Sequence, residues 1–195
     1  MSVLVVSLLI VLSDQASKLL VRGIQIPALG ISWQGIPYGT SVPVFGDFFR
    51  LTYIENSGMA FGIDVGGKIF FSLFSLFASI ALIVYLYRVR TASLGFRLSL
   101  AMILGGAVGN LIDRMFYGMI FGYGPLFGGR VVDFLDFDFF TIDIFGYHLS
   151  RFWVFNIADA SVTIGVIVLM LFHRVAVSED THIPPSPTTE PPIAS

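Results

Sequence analysis

Four stretches of this chain are apolar for about the length that crosses a bilayer. A hydrocarbon core of about 30 Å needs about 20 apolar residues per helix. The stretches are about 1–21 (MSVLVVSLLIVLSDQASKLLV), 69–87 (IFFSLFSLFASIALIVYLY), 94–112 (LGFRLSLAMILGGAVGNLI) and 152–172. The early part of the first resembles the apolar region of a signal peptide. No basic residue precedes it and no clear small-x-small site follows it, so it reads as a retained anchor. Between the first two runs, about 23–68 is rich in Gly, Pro and β-branched or aromatic residues, and FFRLTYIEN reads as a strand. A small sheet at the membrane surface is expected there. The second outer segment, about 114–151, holds many aromatics, which favour the membrane–water interface, and four aspartates. After Val177 the pattern ends in SEDTHIPPSPTTEPPIAS, which reads as a disordered, Pro-rich cytoplasmic tail. The pattern predicts a mainly α membrane protein. Residues 1–177 form one domain of four transmembrane helices with a small extracytoplasmic β-rich segment and an outer loop; 178–195 form the tail.

Composition agrees with this reading. The chain is 55% hydrophobic and only 12% charged, with a mean hydropathy of +0.85. Soluble domains carry about 25% charged residues. The net charge of −2 and the lack of a basic block give no sign of nucleic acid as a partner. The chain has no cysteine, which excludes disulfides, thiolate metal sites and a cysteine nucleophile. His148, His173 and His182 are scattered and lack ligand spacing, so no metal site and no cofactor are expected. Arg88, Arg90 and Arg97 surround the short turn between the second and third runs. Short cytoplasmic loops favour Lys and Arg, which places this turn and both termini inside. Arg22, Arg50, Lys68, Arg130 and Arg151 fall on the other side, spread over longer segments where the bias is weaker.

Ionisable residues in spanning segments usually face a protein interior or a wet cavity. Several occur here, in helical phase. Asp14 and Lys18 are four apart on the first helix and share a face. They form either an ion pair at the outer end, with Lys18 reaching the headgroups, or a pair that orders a site. On the third helix Asn110, Asp113 and Arg114 can face one way at the outer end. For Asn110 and Arg114, interfacial hydrogen bonding and a site role both stay open. Gly105, Gly106 and Gly109 below them suit close helix packing. On the fourth helix Asn156 and Asp159 share a face. Counting about 1.5 Å per residue from Phe152 puts Asp159 roughly 10 Å into it.

The partner of Asp159 is expected in VVDFLDFDFFTID. Asp133 lies in an apolar run and is the aspartate most open to desolvation there. Asp136, Asp138 and Asp143 sit in a more polar setting and read as solvated loop charges. This stretch lacks the glycine and terminal glutamate of a calcium-binding EF-hand loop. Two carboxylates brought together with little water share one proton. That is the aspartic-protease arrangement, in which one carboxylate takes a proton from water and the other hydrogen-bonds the substrate carbonyl.

Five segments then carry a resemblance. SDQASKLLV resembles D-Q-x-x-K of the bacterial lipoprotein (type II) signal peptidases, an aspartic protease family. ENSGMAFGI resembles their E/N-N-x-G-x-A-F-G segment, GGAVGNLIDR their G-x-x-G-N-x-x-D-R, VVDFLDF their V-V-D-F, and FNIADASVTIG their F-N-x-A-D. The resemblance spans about 14–165. It implies cleavage of prolipoproteins on the amino side of a diacylglyceryl-modified lipobox cysteine, with Asp133 and Asp159 as catalytic dyad. It implies site-ordering or substrate-binding roles for Asp14, Lys18, Asn56, Gly58, Asn110, Arg114 and Asn156. Asn56 and Gly58 lie in the β-cradle segment that closes over substrate in the family. The resemblance also implies a cytoplasmic (inner) membrane location with the site on the outer side, contact with membrane lipids, and inhibition by cyclic peptide antibiotics such as globomycin. A monomer can hold a complete site. One departure stands out. Many members place V-V-D-F closer to the arginine, so the extra residues within MFYGMIFGYGPLFGGRV, including GYGPLFGG, read as an insertion, either a flap over the cleft or a tolerated loop. The alternative function is a small proton- or cation-coupled transporter using the buried carboxylates. Four helices are few for one, and no internal repeat is evident.

Overall fold

A computed structural model describes residues 2–58, 67–138, 142–144, 147–149 and 153–179. The tail beyond Glu179, Arg151, and the AFGI end of the second motif lie outside the described residues. Four long helices carry the fold: α1 (Leu4–Arg22), α2 (Gly67–Arg88), α3 (Leu94–Ile112) and α5 (Ile157–Glu179). A π-turn (Asp113–Tyr117) and a single helical turn, α4 (Gly118–Ile120), continue α3. Leu4–Arg22, Ile69–Arg88 and Leu94–Ile120 are long and apolar enough to cross a membrane, and α5 adds the apolar stretch Ile157–Phe172.

α3 is the central helix, touching α1, α2 and α5. Its glycines make this possible. A Cβ on Gly105 would fall 2.9 Å from Ile10 Cβ of α1, and one on Gly106 would fall 2.3 Å from the Ala158 carbonyl oxygen of α5. On Gly109 it would fall 2.7 Å from Asp14 Oδ2. Hydroxyls add links between helices: Ser7 donates to the Ala101 carbonyl at 2.7 Å and Ser161 to the Met102 carbonyl at 2.8 Å. Apolar side chains such as Leu8, Leu12, Phe70, Phe74, Phe77, Ile167 and Met170 stay exposed on the outer faces. Asp14, Lys18, Asn110 and Asp113 are buried inside. Lipid is the solvent that suits such a surface, because apolar side chains lose nothing by facing it.

The outer layer begins where α1 ends at Gly23, whose φ of +88° suits a residue without Cβ. Strands β1 (Ile24–Ile26) and β2 (Ile31–Trp33) form a hairpin. β3 (Ser41–Phe45), β4 (Phe49–Asn56) and β5 (Val131–Phe137) form an antiparallel sheet in that order. The strand expected in FFRLTYIEN is β4, and VVDFLDF is its neighbour β5, with Asp133 opposite Ile54. β6 (Ile142–Ile144), which contains Asp143, pairs with β7 (Tyr147–Leu149). On its other edge β5 takes an isolated bridge, Leu135 to Phe155, immediately before α5.

That bridge corrects the expected start of the fourth helix. Phe155 is held in extended pairing, so the helix starts at Ile157 and not near 152. Asp159 therefore lies in the first helical turn, not about 10 Å down the helix.

Candidate active site

Asn156 is the N-cap of α5. Its Oδ1 accepts the Asp159 N–H at 2.9 Å, and its own N–H donates to Asp159 Oδ2 at 3.3 Å. This reciprocal pair is a capping box with Asp at the third helical position. The same side chain turns its amide to the sheet, where Nδ2 donates to Asp133 Oδ1 at 2.6 Å and to the Asn110 oxygen at 3.1 Å. Asn110 Nδ2 donates to Asp159 Oδ1 at 2.7 Å. Asn156 thus joins the two carboxylates, and Asn110 closes the ring.

Asp133 is 2% exposed, whereas Asp159 is only half-buried. Burial, and then the charge of Asp159, push the Asp133 carboxyl up to about 7; hydrogen bonds from Asn156 and Asn56 oppose the rise. Asn56 ends β4, and its Oδ1 accepts the Gly58 N–H at 2.9 Å in a tight turn, with Gly58 at φ +76°. Arg114, partly exposed in the π-turn, lies within electrostatic reach of Asp113, Asp159 and Asp133.

Behind the aspartates lies a closed polar cluster. Lys18 Nζ sits 2.7 Å from Asp14 Oδ2 and 2.8 Å from Asp113 Oδ2, with all three side chains fully buried. It also donates to Asn110 Oδ1 at 3.0 Å. Lys18 therefore does not reach the headgroups. The two carboxylates and Asn110 satisfy its three protons inside the protein. Gln15 Nε2 donates to Asp113 Oδ1 at 2.8 Å, and Tyr117 donates to Gln15 Oε1 at 3.1 Å. Sequence reasoning singled out neither Gln15 nor Asp113 as a site residue. Both stand in quoted motifs, and Asp113 at three residues past Asn110 was the available signal.

Asp136 corrects another expectation. It is 3% exposed, and Thr52 Oγ1 of β4 donates to its Oδ2 at 2.5 Å. Pairing of β4 with β5 covers it, so it is no solvated loop charge. Asp138 is partly exposed just past β5.

The segment read as an insertion folds against the outer end of α1. Arg22 stacks on Phe121, 3.6 Å from the ring centroid, and bonds Tyr53 and Glu55 at 2.8 Å each. Tyr123 accepts the Arg130 N–H at 3.0 Å, and the Arg130 side chain reaches Glu55 at 3.3 Å. Burial pushes the phenols of Tyr53 and Tyr123 up, so both stay neutral. A 780 Å³ groove separates Met119–Gly122 from Trp33, Gln34 and Pro37.

By architecture the chain falls in a class of membrane-embedded enzymes. A solved bacterial membrane enzyme aligns with it at a TM-score of 0.66 and 28% identity, over 95% of this chain and 94% of that one. Sequence narrows the class: the signal peptidase (SPase) II family matches residues 6–175, and the chain belongs to that family of peptidases. The lipoprotein signal peptidase of Halothermothrix orenii is 37% identical over 171 residues, 87% of this chain and 93% of that protein. That of Pelodictyon phaeoclathratiforme is 37% identical over 134 residues, 69% of this chain and 73% of that protein. These relatives are peptidases and lend the transporter alternative no support.

Proposed function

We propose that this membrane peptidase removes signal peptides from prolipoproteins by aspartic chemistry, with Asp133 and Asp159 as its dyad. One observation carries the assignment: Asn156 bonds both carboxylates at once, and Asp133 is held near 7 beside Asp159. Two carboxylates in such a setting keep one proton between them at neutral pH. Burial puts that proton on Asp133. Asp159, the more open of the two, takes a proton from water as the water oxygen attacks the scissile carbonyl carbon. Protonated Asp133 donates a hydrogen bond to the carbonyl oxygen, where negative charge develops. Collapse of the tetrahedral intermediate breaks the C–N bond. The proton held by Asp159 passes to the leaving nitrogen, which belongs to the diacylglyceryl-modified cysteine.

Asn56, which hydrogen-bonds Asp133, Gly58, whose N–H is held by Asn56, and Arg114, within electrostatic reach of both aspartates, are assigned to substrate binding. Asp14, Lys18, Asn110 and Asn156 hold the site from behind. Family membership and the charge pattern support the proposed placement: the cytoplasmic membrane, both termini inside, the dyad at the outer interface among lipid headgroups. A single chain carries every residue named. Globomycin-like cyclic peptides would occupy the dyad's opening.

Purified protein given a diacylglyceryl-modified lipobox peptide tests this reading. Asp133→Asn and Asp159→Asn should each lower the rate at least about a thousandfold, as loss of a catalytic group does. Asp138→Asn should stay active. Wild-type cleavage by either dyad variant would refute the assignment.

A further inference from the structure

Asp113 has a place in the geometry that the dyad chemistry does not use. It is a fully buried carboxylate that shares the single ammonium of Lys18 with another, Asp14. Two buried carboxylates on one buried cation leave a net negative charge away from water, which is costly. The remaining bonds of the two are matched. Asp113 Oδ2 accepts the backbone N–H of Val132 at 3.2 Å, and Asp14 Oδ1 accepts the backbone N–H of Ala158 at 3.0 Å. Val132 immediately precedes Asp133, and Ala158 immediately precedes Asp159. Each residue of the pair therefore follows a peptide group tied to this cluster. Lys18 links the two ties across 2.7 and 2.8 Å contacts, with Gln15 donating to both carboxylates at 3.2 and 2.8 Å.

We infer that Asp113 is a positioning residue for the hydrolysis: with Asp14, through Lys18, it sets the separation of Asp133 and Asp159 by holding the peptide N–H before each. The inference rests on the dyad assignment and adds the element that spaces the dyad. β5 and α5 come from distant parts of the chain, and the Leu135–Phe155 bridge, the Phe137–Phe155 ring stack and Asn156 also join them near the site. The cluster is a further link, on the buried side. A merely structural charge pair would require the charge of Asp113; a positioning role requires its oxygen at the Val132 N–H.

Two substitutions separate these. Asp113→Asn removes the charge and keeps an oxygen in place. Asp113→Glu keeps the charge and moves the oxygen by one methylene. Misplacement of about 1 Å costs about 100-fold in rate. Asp113→Glu is therefore expected to lower kcat by about that factor with KM nearly unchanged, while Asp113→Asn, which weakens the tie to Lys18 but keeps an oxygen at the Val132 N–H, loses about tenfold less. Rates are taken per folded molecule, counted from the monodisperse peak in detergent. An Asp113→Glu enzyme with wild-type kcat, or an Asp113→Asn enzyme as slow as Asp113→Glu, would overturn the inference. Should Asp113→Glu not fold, Asp14→Glu against Asp14→Asn makes the same comparison at the Ala158 N–H. Asp133→Asn and Asp159→Asn run alongside. Activity in either of those refutes the dyad itself. If both are inactive while Asp113→Glu turns over normally, the positioning role alone fails.

Discussion

Asp133 combines burial, a neighbouring carboxylate and an asparagine in one residue, and its titration follows from the first two. Burial and the Asp159 charge raise it to about 7 from an ordinary value of 3.8. Below about 7 it holds a proton, as the proposed chemistry requires. The rate should therefore fall as pH rises through about 7, read as the descending limb of kcat/KM against pH. Stability carries the same sign. A carboxyl raised in the folded state stabilises fully below the unfolded value and loses that contribution as pH rises through the folded one. Above pH 7 burying the ionised group costs on the order of 4 kcal/mol. Asp133→Asn, though expected to be inactive, should then melt above wild type in detergent, by a margin that grows from pH 4 to 7 and then levels off. Asp133 and Asp159 were legible as candidates because each interrupts an apolar run. Asp136 was misread because its cover comes from Thr52, which is 84 residues away in sequence.

At the scale of elements, α3 decides what can approach what. The Ala158 carbonyl lies where a Cβ on Gly106 would be, at 2.3 Å, and Val162 Cγ2 at 2.6 Å. Gly106→Ala must therefore move α5, which carries Asp159, away from α3, which carries Asn110. Overpacking of this kind costs typically 1–3 kcal/mol. The expected result is a lower melting temperature together with a kcat loss of about tenfold or more; unchanged kcat would mean the helices can part without disturbing the pair. The glycine pattern pointed to tight packing from the sequence, but not to the partner helix each glycine meets. The start of α5 was also partly readable. An Asn followed three residues later by an acid, just before an apolar run, is a helix start signal. Reading the apolar pattern alone placed the start several residues early, because Phe155 is apolar yet belongs to a β-bridge.

At the scale of the molecule, the fold is polar within and apolar without. Its orientation in the bilayer is tested without removing any native thiol, since the chain has no cysteine. Thr91→Cys, in the turn between α2 and α3, and Asp47→Cys, at the tip of the β3–β4 hairpin, both lie at exposed positions. A membrane-impermeant maleimide should label Asp47→Cys in intact cells and Thr91→Cys only after permeabilisation. The reverse pattern would invert the proposed topology. The sequence by itself determined the membrane class, the four apolar helices and the strand of β4. Each depends on local hydropathy and residue type, which neighbours along the chain reveal. It also marked the five motifs that led to the family. Only the tertiary structure decided that Lys18 is sealed between Asp14 and Asp113, that Asn156 serves both aspartates, and that Val132 and Ala158 are tied to one cluster. Those contacts join residues up to 144 apart in the chain. Their geometry depends on how closely α1, α3, α5 and β5 pack, which no local pattern encodes.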